Sequence, residues 1–234
     1  HLSLRRQRQM CIRDRSSTYK KILKNKNDSV KNGKIYGIGY SAIIEPSISN
    51  MGYVTTALPY QDREKTGHKG GALASTSVSI GPTGSVYVTC DSLPQGQGHE
   101  TILSQIVADV FGVKLNDIFV NSTHDTHKDS WSIAAGNYSS RFAGAVAGSA
   151  YNAAINLKKK LEKIAASELN CKSENVLFDK GKVFDIKNSD NYLKFKRLAG
   201  IPHWSPGNLP ENLNPSLKET CFWGAEELLS LIHI

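Results

Sequence analysis

Between Ala72 and Gly112 the hydrophobic pattern changes its period, and this constrains the fold more than any other stretch. Ala72, Ala74, Thr76, Val78 and Ile80 alternate with Ser75, Ser77 and Ser79. After the turn Gly-Pro-Thr-Gly, Val86, Val88 and Cys90 alternate with Tyr87 and Thr89. Period two on both sides of a Pro/Gly turn predicts a β-hairpin with one buried face. Beyond Gly96-Gln97-Gly98, Ile102, Leu103, Ile106, Val107, Val110 and Phe111 recur at helical spacing, and Gly112 stops the helix. The second strand of the hairpin therefore runs through a nearly bare turn straight into a helix.

The rest of the chain adds elements of both kinds. Asp117–Val120 reads as a short strand and Phe142–Leu169 as a long helix, rich in Gly and Ala over its first half so that a neighbour can approach closely. "NVLFDKGKVFDI" predicts a second hairpin with Lys180-Gly181 at its turn. "IYGIGYSAIIEP", ended by Pro46, and "SNMGYVTTALP" read as strands, and Tyr60–Gly71 as a charged loop. "KNDSVKNGKIYG" is polar and turn-prone, and "GIPHWSPGNLPENLNPSL" is Pro- and Asn-rich, hence irregular. The fold class expected is α+β, with a mixed β-sheet and hairpins packed against two main helices.

The ends read differently. Arg5–Arg15 and the last six residues, "LSLIHI", match translated adapter sequence from short-read sequencing, so 1–15 and 229–234 are expected to lie outside the fold and 16–228 to be protein proper. This changes the charge argument. The chain has 29 Lys+Arg and 21 Asp+Glu; without the five Arg and one Asp of the N-terminal stretch, 24 face 20, a net of +4. That balance, with no interleaving of aromatic and basic residues, argues against a nucleic-acid-binding protein. Cys90, Cys171 and Cys221 are scattered and form no CxxC pair, which excludes a Cys-built zinc or iron–sulfur site and suggests reduced thiols in a cytoplasmic protein. No apolar run reaches membrane-spanning length.

Two polar helix mouths stand out. A helix N-terminus leaves N–H groups unpaired and carries partial positive charge. At the first, Gly96 and Gly98 lack Cβ, so a ligand can lie against the main chain, and Gln97 offers donors and an acceptor suited to the edge of a flat heterocycle. His99 and Thr101 follow in the first turn. At the second, Tyr138, Ser139, Ser140 and Arg141 open the long helix, with a serine to cap it and a guanidinium suited to phosphate. An Arg at that end of a helix is electrostatically misplaced unless an anion sits beside it. Neither a G-x-G-x-x-G nor a Walker signature is present. His124, Asp125, His127 and Asp129 crowd one loop, but no regular element holds their spacing, and no metal site is expected there. Cys90, by its parity with Val86 and Val88, reads as core rather than as a nucleophile.

Taken in order, "GQGHET", "QIVADVFGV", "NDIFV", "YSSR" and "AGSA", flanked by "GKIYGIGYSAIIEPS" and "GIPHWSPGNLPENLNPSL", resemble one family: the molybdenum-binding large subunit of xanthine dehydrogenases, aldehyde oxidases and carbon monoxide dehydrogenases. The resemblance covers nearly all of 16–228 and implies a fragment of the second cofactor-binding domain of such a subunit. It implies a molybdenum–molybdopterin cofactor, often the cytosine dinucleotide form in bacteria, held in part by Gly96, Gln97, Gly98, His99, Thr101, Tyr138, Ser139, Ser140 and Arg141. It further implies hydroxylation of a small molecule with water as oxygen source, and electron transfer to iron–sulfur and flavin (FAD) subunits or domains in a hetero-oligomer. The family's catalytic Glu is expected outside this stretch; Glu226 and Glu227, after "FWGA", do not match its motif, so no catalytic residue is assigned and the stretch alone should be inactive. A different class, a non-redox domain that binds a nucleotide or phosphorylated ligand, would use the same helix mouths.

Overall fold

The computed structural model describes residues 17–31, 33, 44–46, 59–63, 73–123, 125, 136–137, 140–224 and 229–231. The chain divides into two compact units, 1–43 and, in the main, 44–232. In the first, helix α1 spans Ser17–Lys31. It takes in half of the stretch read as turn-prone: Asn27, Asp28 and Ser29 continue the helix, which ends at Lys31, shortly before Gly33, whose φ of 69° favours glycine.

The second unit is built on a sheet of four strands, β2 (Ala74–Ile80), β3 (Val86–Cys90), β4 (Ile118–Asn121) and β8 (Lys218–Trp223), in the order β4-β3-β2-β8. The β2–β3 hairpin pairs Ile80 with Val86 and Thr76 with Cys90 around the expected turn. Strand β4 runs parallel to β3, which requires a crossover; helix α2 (His99–Phe111) supplies it. Gly112 ends α2 at a φ of 60° and also abuts the neighbouring hairpin: a Cβ there would come within 2.7 Å of the Phe178 carbonyl oxygen.

Helix α3 (Ala147–Leu169), preceded by one turn of π-helix over Phe142–Val146, packs across the sheet and beside α2. Its buried stripe, Ala150, Ala153, Ala154, Leu157, Leu161 and Ile164, meets Val78, Val88, Leu103 and Val107 in one core. The small residues at its start serve an aromatic neighbour: a Cβ on Gly148 would overlap the indole of Trp223 on β8. A three-stranded antiparallel sheet, β5 (Val176–Asp179), β6 (Lys182–Asp185) and β7 (Asn188–Lys194), follows, and helix α4 (Phe195–Trp204) closes the region. Among the described residues, no helix is long and apolar enough to cross a membrane.

The α+β class and both hairpins are as expected. Three local expectations need correction. Burial on β2 is two-sided: Ser75, Thr76 and Ser77 are all buried, because β2 is an interior strand; Thr76 Oγ1 pairs with Ser149 Oγ at 2.6 Å and Ser77 Oγ with Thr220 Oγ1 at 2.6 Å, while Ser75 Oγ has no partner among the described residues. "GIPHW" is helical despite Pro202, since Phe195, Leu198 and Ile201 bury one face of α4 and the missing donor falls near its end; the remainder, 205–217, holds no strand. Strand β8 was not expected at all. Leu229–Leu231, inside the stretch read as adapter, pairs antiparallel with Ile44–Pro46 as β9 against β1. Except for Pro59, the strand proposed in 49–59 lies outside the described residues, as does most of the loop 60–71, with Tyr60–Arg63 forming one helical turn.

Two substitutions test this packing in denaturant melts of the full chain. Gly148→Ala should cost about 1–3 kcal/mol by forcing the Trp223 ring to shift, and Gly112→Ala at least about 1–2 kcal/mol from its left-handed backbone alone. Gly207→Ala, where a Cβ has open space, should stay within about 0.5 kcal/mol of wild type.

Candidate functional site

Strand β3 ends at Cys90, and the chain then crosses Asp91–Gly98 before α2 begins. Asp91 and Ser92 are buried, Leu93–Gly98 is exposed, and the chain is buried again at His99. Gly96 and Gly98 hold φ values of 100° and 75°, and a Cβ added at either would meet nothing within 4 Å. The main chain of the turn is thus bare on its open side. Gln97 is exposed, and its side chain folds back so that Oε1 accepts from the Gln95 N–H at 2.5 Å. Thr101 is exposed in the first turn of α2. Glu100, also in that turn, complements the helix dipole and accepts from Ser122 Oγ at 2.9 Å.

His99 behaves differently from its neighbours. It is fully buried at the mouth of α2, and its ring stacks on that of Phe142, centroids 4.0 Å apart and planes 8° from parallel. Nδ1 lies 3.3 Å from the Ser92 carbonyl, an acceptor only, so Nδ1 carries the proton and Nε2 is the bare nitrogen. Nε2 is buried without a hydrogen-bond partner among the described residues. Burial holds the imidazole pKa below its ordinary value, opposed by the Ser92 carbonyl and by Glu100. The ring is therefore a neutral acceptor at neutral pH.

The stack on Phe142 brings the two helix mouths into contact, as one shared site requires. At the second mouth, Ser140 adopts a φ of 54° and Arg141 occupies the N-cap of the π turn with no side-chain cap, so the serine cap expected from sequence is not formed by Ser140. Tyr138 and Ser139 lie outside the described residues, as do His124, His127 and Asp129. Arg141 is fully buried and does stand beside an anion, but that anion belongs to the chain. Nη2 donates to Asp91 Oδ2 at 3.0 Å and to the Leu73 carbonyl at 2.8 Å, and Nη1 to the Gly136 carbonyl at 3.3 Å. Asp91 Oδ2 also accepts the Ser75 N–H at 2.9 Å. Breaking such a buried pair from one side typically costs about 3–5 kcal/mol.

A second polar link runs parallel to the first. Ser92 Oγ donates to Asn137 Oδ1, and Asn137 Nδ2 donates to the Leu93 carbonyl. Asp91, Ser92, Asn137 and Phe142 were not among the residues singled out from sequence. Ser92 continues the buried parity of Val86, Val88 and Cys90, which was a usable signal; Asp91 and Asn137 carried none. Cys90 is core, as its parity indicates: its thiol donates to the Ser92 carbonyl at 3.5 Å, and burial pushes its pKa up.

Known proteins can now be set beside this geometry. The model of the molybdopterin cofactor-binding domain matches residues 13–228. The chain belongs to that family. It is 27% identical over 205 residues to the nicotine 6-hydroxylase large subunit of Paenarthrobacter nicotinovorans, covering 88% of the chain and 24% of that protein. It is 31% identical over 150 residues to the carbon monoxide dehydrogenase large chain of Afipia carboxidovorans, covering 64% of the chain and 18% of that protein. Its fold matches quinoline 2-oxidoreductase from Pseudomonas putida 86 with a TM-score of 0.71 at 24% identity, over 95% of the chain and 27% of that structure. The chain thus spans about a quarter or less of the length of these relatives. The family is the one its motifs implied, and it favours the molybdenum reading over a non-redox nucleotide-binding domain.

The depressed His99 pKa has a signed consequence. Between the folded and unfolded pKa values the unfolded chain binds the extra proton, so stability is intact above about pH 6.5 and falls as the pH drops below it. His99→Phe keeps an aromatic ring on Phe142 but cannot titrate. Its melting temperature should therefore fall less steeply than that of wild type between about pH 6.5 and 5, as read by calorimetry; parallel acid limbs would contradict a neutral buried imidazole.

Proposed function

We propose that the chain forms part of the molybdenum-bearing catalytic subunit of a hydroxylase or dehydrogenase. It would hold one side of a molybdopterin cofactor along Gly96, Gln97, Gly98, His99 and Thr101 and at the helix mouth Tyr138–Ser140, behind which Arg141 is engaged by Asp91. The observation that carries this reading is the open Gly-Gln-Gly main chain at the start of α2, in a chain of the molybdopterin cofactor-binding family. The residues present suit such a group. Bare backbone admits a flat ring, the Gln97 amide matches a heterocycle edge, and the N-terminus of α2 favours the phosphate. Nε2 of His99 is a buried acceptor with no partner among the described residues, which suits an N–H donor of a pterin or a water bound with it.

Bound there, the cofactor supplies two-electron oxidation with oxygen drawn from water; the protein supplies orientation and electrostatics. Gln97 and the turn amides would hold the pterin, and the neutral His99 would add no cation to the site. The substrate would be an aldehyde, carbon monoxide or an N-heteroaromatic compound. The names of the relatives, nicotine 6-hydroxylase and carbon monoxide dehydrogenase, support that range. Those relatives are a large subunit and a large chain, which supports iron–sulfur and FAD partner subunits or domains in a hetero-oligomer. The cytosine dinucleotide form of the cofactor and a cytoplasmic setting belong to the same proposal. So does the assignment of 1–15 and 229–234 as adapter; the family match runs over 13–228, ending where the C-terminal stretch begins but taking in 13–15.

Gln97→Ala in the complete reading frame tests the site. One lost hydrogen bond of about 0.5–1.5 kcal/mol predicts roughly two- to tenfold faster cofactor loss with an unchanged fold. The readouts are molybdenum per subunit, pterin fluorescence of the released cofactor, and circular dichroism. Wild-type retention and turnover in this variant would remove Gln97 from the site.

A further inference from the structure

The clamp around Arg141 has a meaning beyond stability. Its guanidinium joins three stretches that are remote in sequence: Leu73 just before β2, Asp91 just after β3, and Gly136 before the second helix mouth. Asp91 is in turn fixed to β2 twice, by its own N–H on the Ser75 carbonyl at 3.1 Å and by its carboxylate on the Ser75 N–H. The next two residues, Ser92 and Leu93, are tied to Asn137. At the other end of the crossing, His99 is held by the Phe142 stack and by the Ser92 carbonyl. Both ends of the Gly96–Gly98 turn are therefore pinned to the start of the long helix, while Gly96 and Gly98 themselves face open space.

We propose that Arg141 is a positioning residue: through Asp91 it sets the strand end from which the Gly-Gln-Gly turn springs, and it acts on the cofactor through that turn without touching it. This rests on the reading that the turn seats the cofactor. The geometry favours it over direct phosphate contact. The side chain is fully buried, and swinging it toward a ligand would break bonds to a carboxylate and two carbonyls. The requirement is for a fork. A lysine would match the Asp91 charge as a point but could not reach Leu73 and Gly136 in the same geometry.

Arg141→Lys and the near-isosteric Asp91→Asn, made in the complete subunit, test this. In cofactor-free protein, amide hydrogen exchange over 93–98 should quicken in both variants while the β5–β7 sheet keeps wild-type protection. In cofactor-loaded protein both should release pterin about tenfold faster, the size expected for weakening a charge-assisted bond. Unchanged exchange at 93–98 in Arg141→Lys, with cofactor still lost, would mean that Arg141 touches the ligand and would overturn the proposal. Wild-type cofactor retention in Asp91→Asn, or exchange quickened equally in β5–β7, would overturn it too, the latter by showing a purely global effect on stability. A wild-type complete subunit that binds no pterin, with 93–98 still loosened in both variants, would sink the cofactor reading and leave the positioning role intact.

Discussion

The guanidinium of Arg141 and the carboxylate of Asp91 meet across fifty residues of sequence at 3.0 Å, both fully buried. Charges out of water are costly unless paired and hydrogen-bonded, and a well-packed apolar pair would often serve stability as well. What an apolar pair would not do is aim. The fork of Arg141 accepts one arrangement of Leu73, Asp91 and Gly136, and that arrangement fixes where β3 stops and where the crossing to α2 begins. The polar links of Ser92 and Asn137 and the His99–Phe142 stack extend the same alignment around the turn. Rigidity at the ends is what permits three residues in the middle to be almost bare.

The larger architecture makes that junction possible. A parallel β3–β4 pair needs a crossover, so α2 starts near the end of β3 and returns along the sheet. The long α3 must then lie beside α2 and over β2 and β8. Gly148 lets it settle against Trp223, and alanines along its buried stripe keep the layers close. The two helix mouths meet because these contacts leave α2 and the π turn side by side.

Much of this was readable from local pattern. The change from period two to helical spacing around Gly96–Gly98 located β3, the turn and α2 to within a residue or so, and the Lys180-Gly181 turn located the β5–β6 hairpin. Strand β8 escaped because Lys218-Glu219-Thr220 carries no apolar alternation; its place comes from pairing with β2, about 140 residues away in sequence. Ser75 and Ser77 are buried because β2 is interior to the sheet, which a hairpin pattern does not reveal. For Arg141, helix electrostatics called for an anion, expected as the cofactor phosphate; the anion beside it is the chain's own Asp91. Local sequence could not say that the anion was Asp91, since nothing near either residue encodes their meeting.

The central claim is that the Gly96–Gly98 turn is the seat of the cofactor and that Arg141 holds the seat from behind. The most direct measurement is a crystal structure of the complete subunit with its cofactor bound. The account predicts a pterin within hydrogen-bonding distance of the Gln97 amide and the turn's backbone N–H groups, with Arg141 still on Asp91. A cofactor remote from the turn, or Arg141 turned away from Asp91 onto the cofactor phosphate, would contradict it.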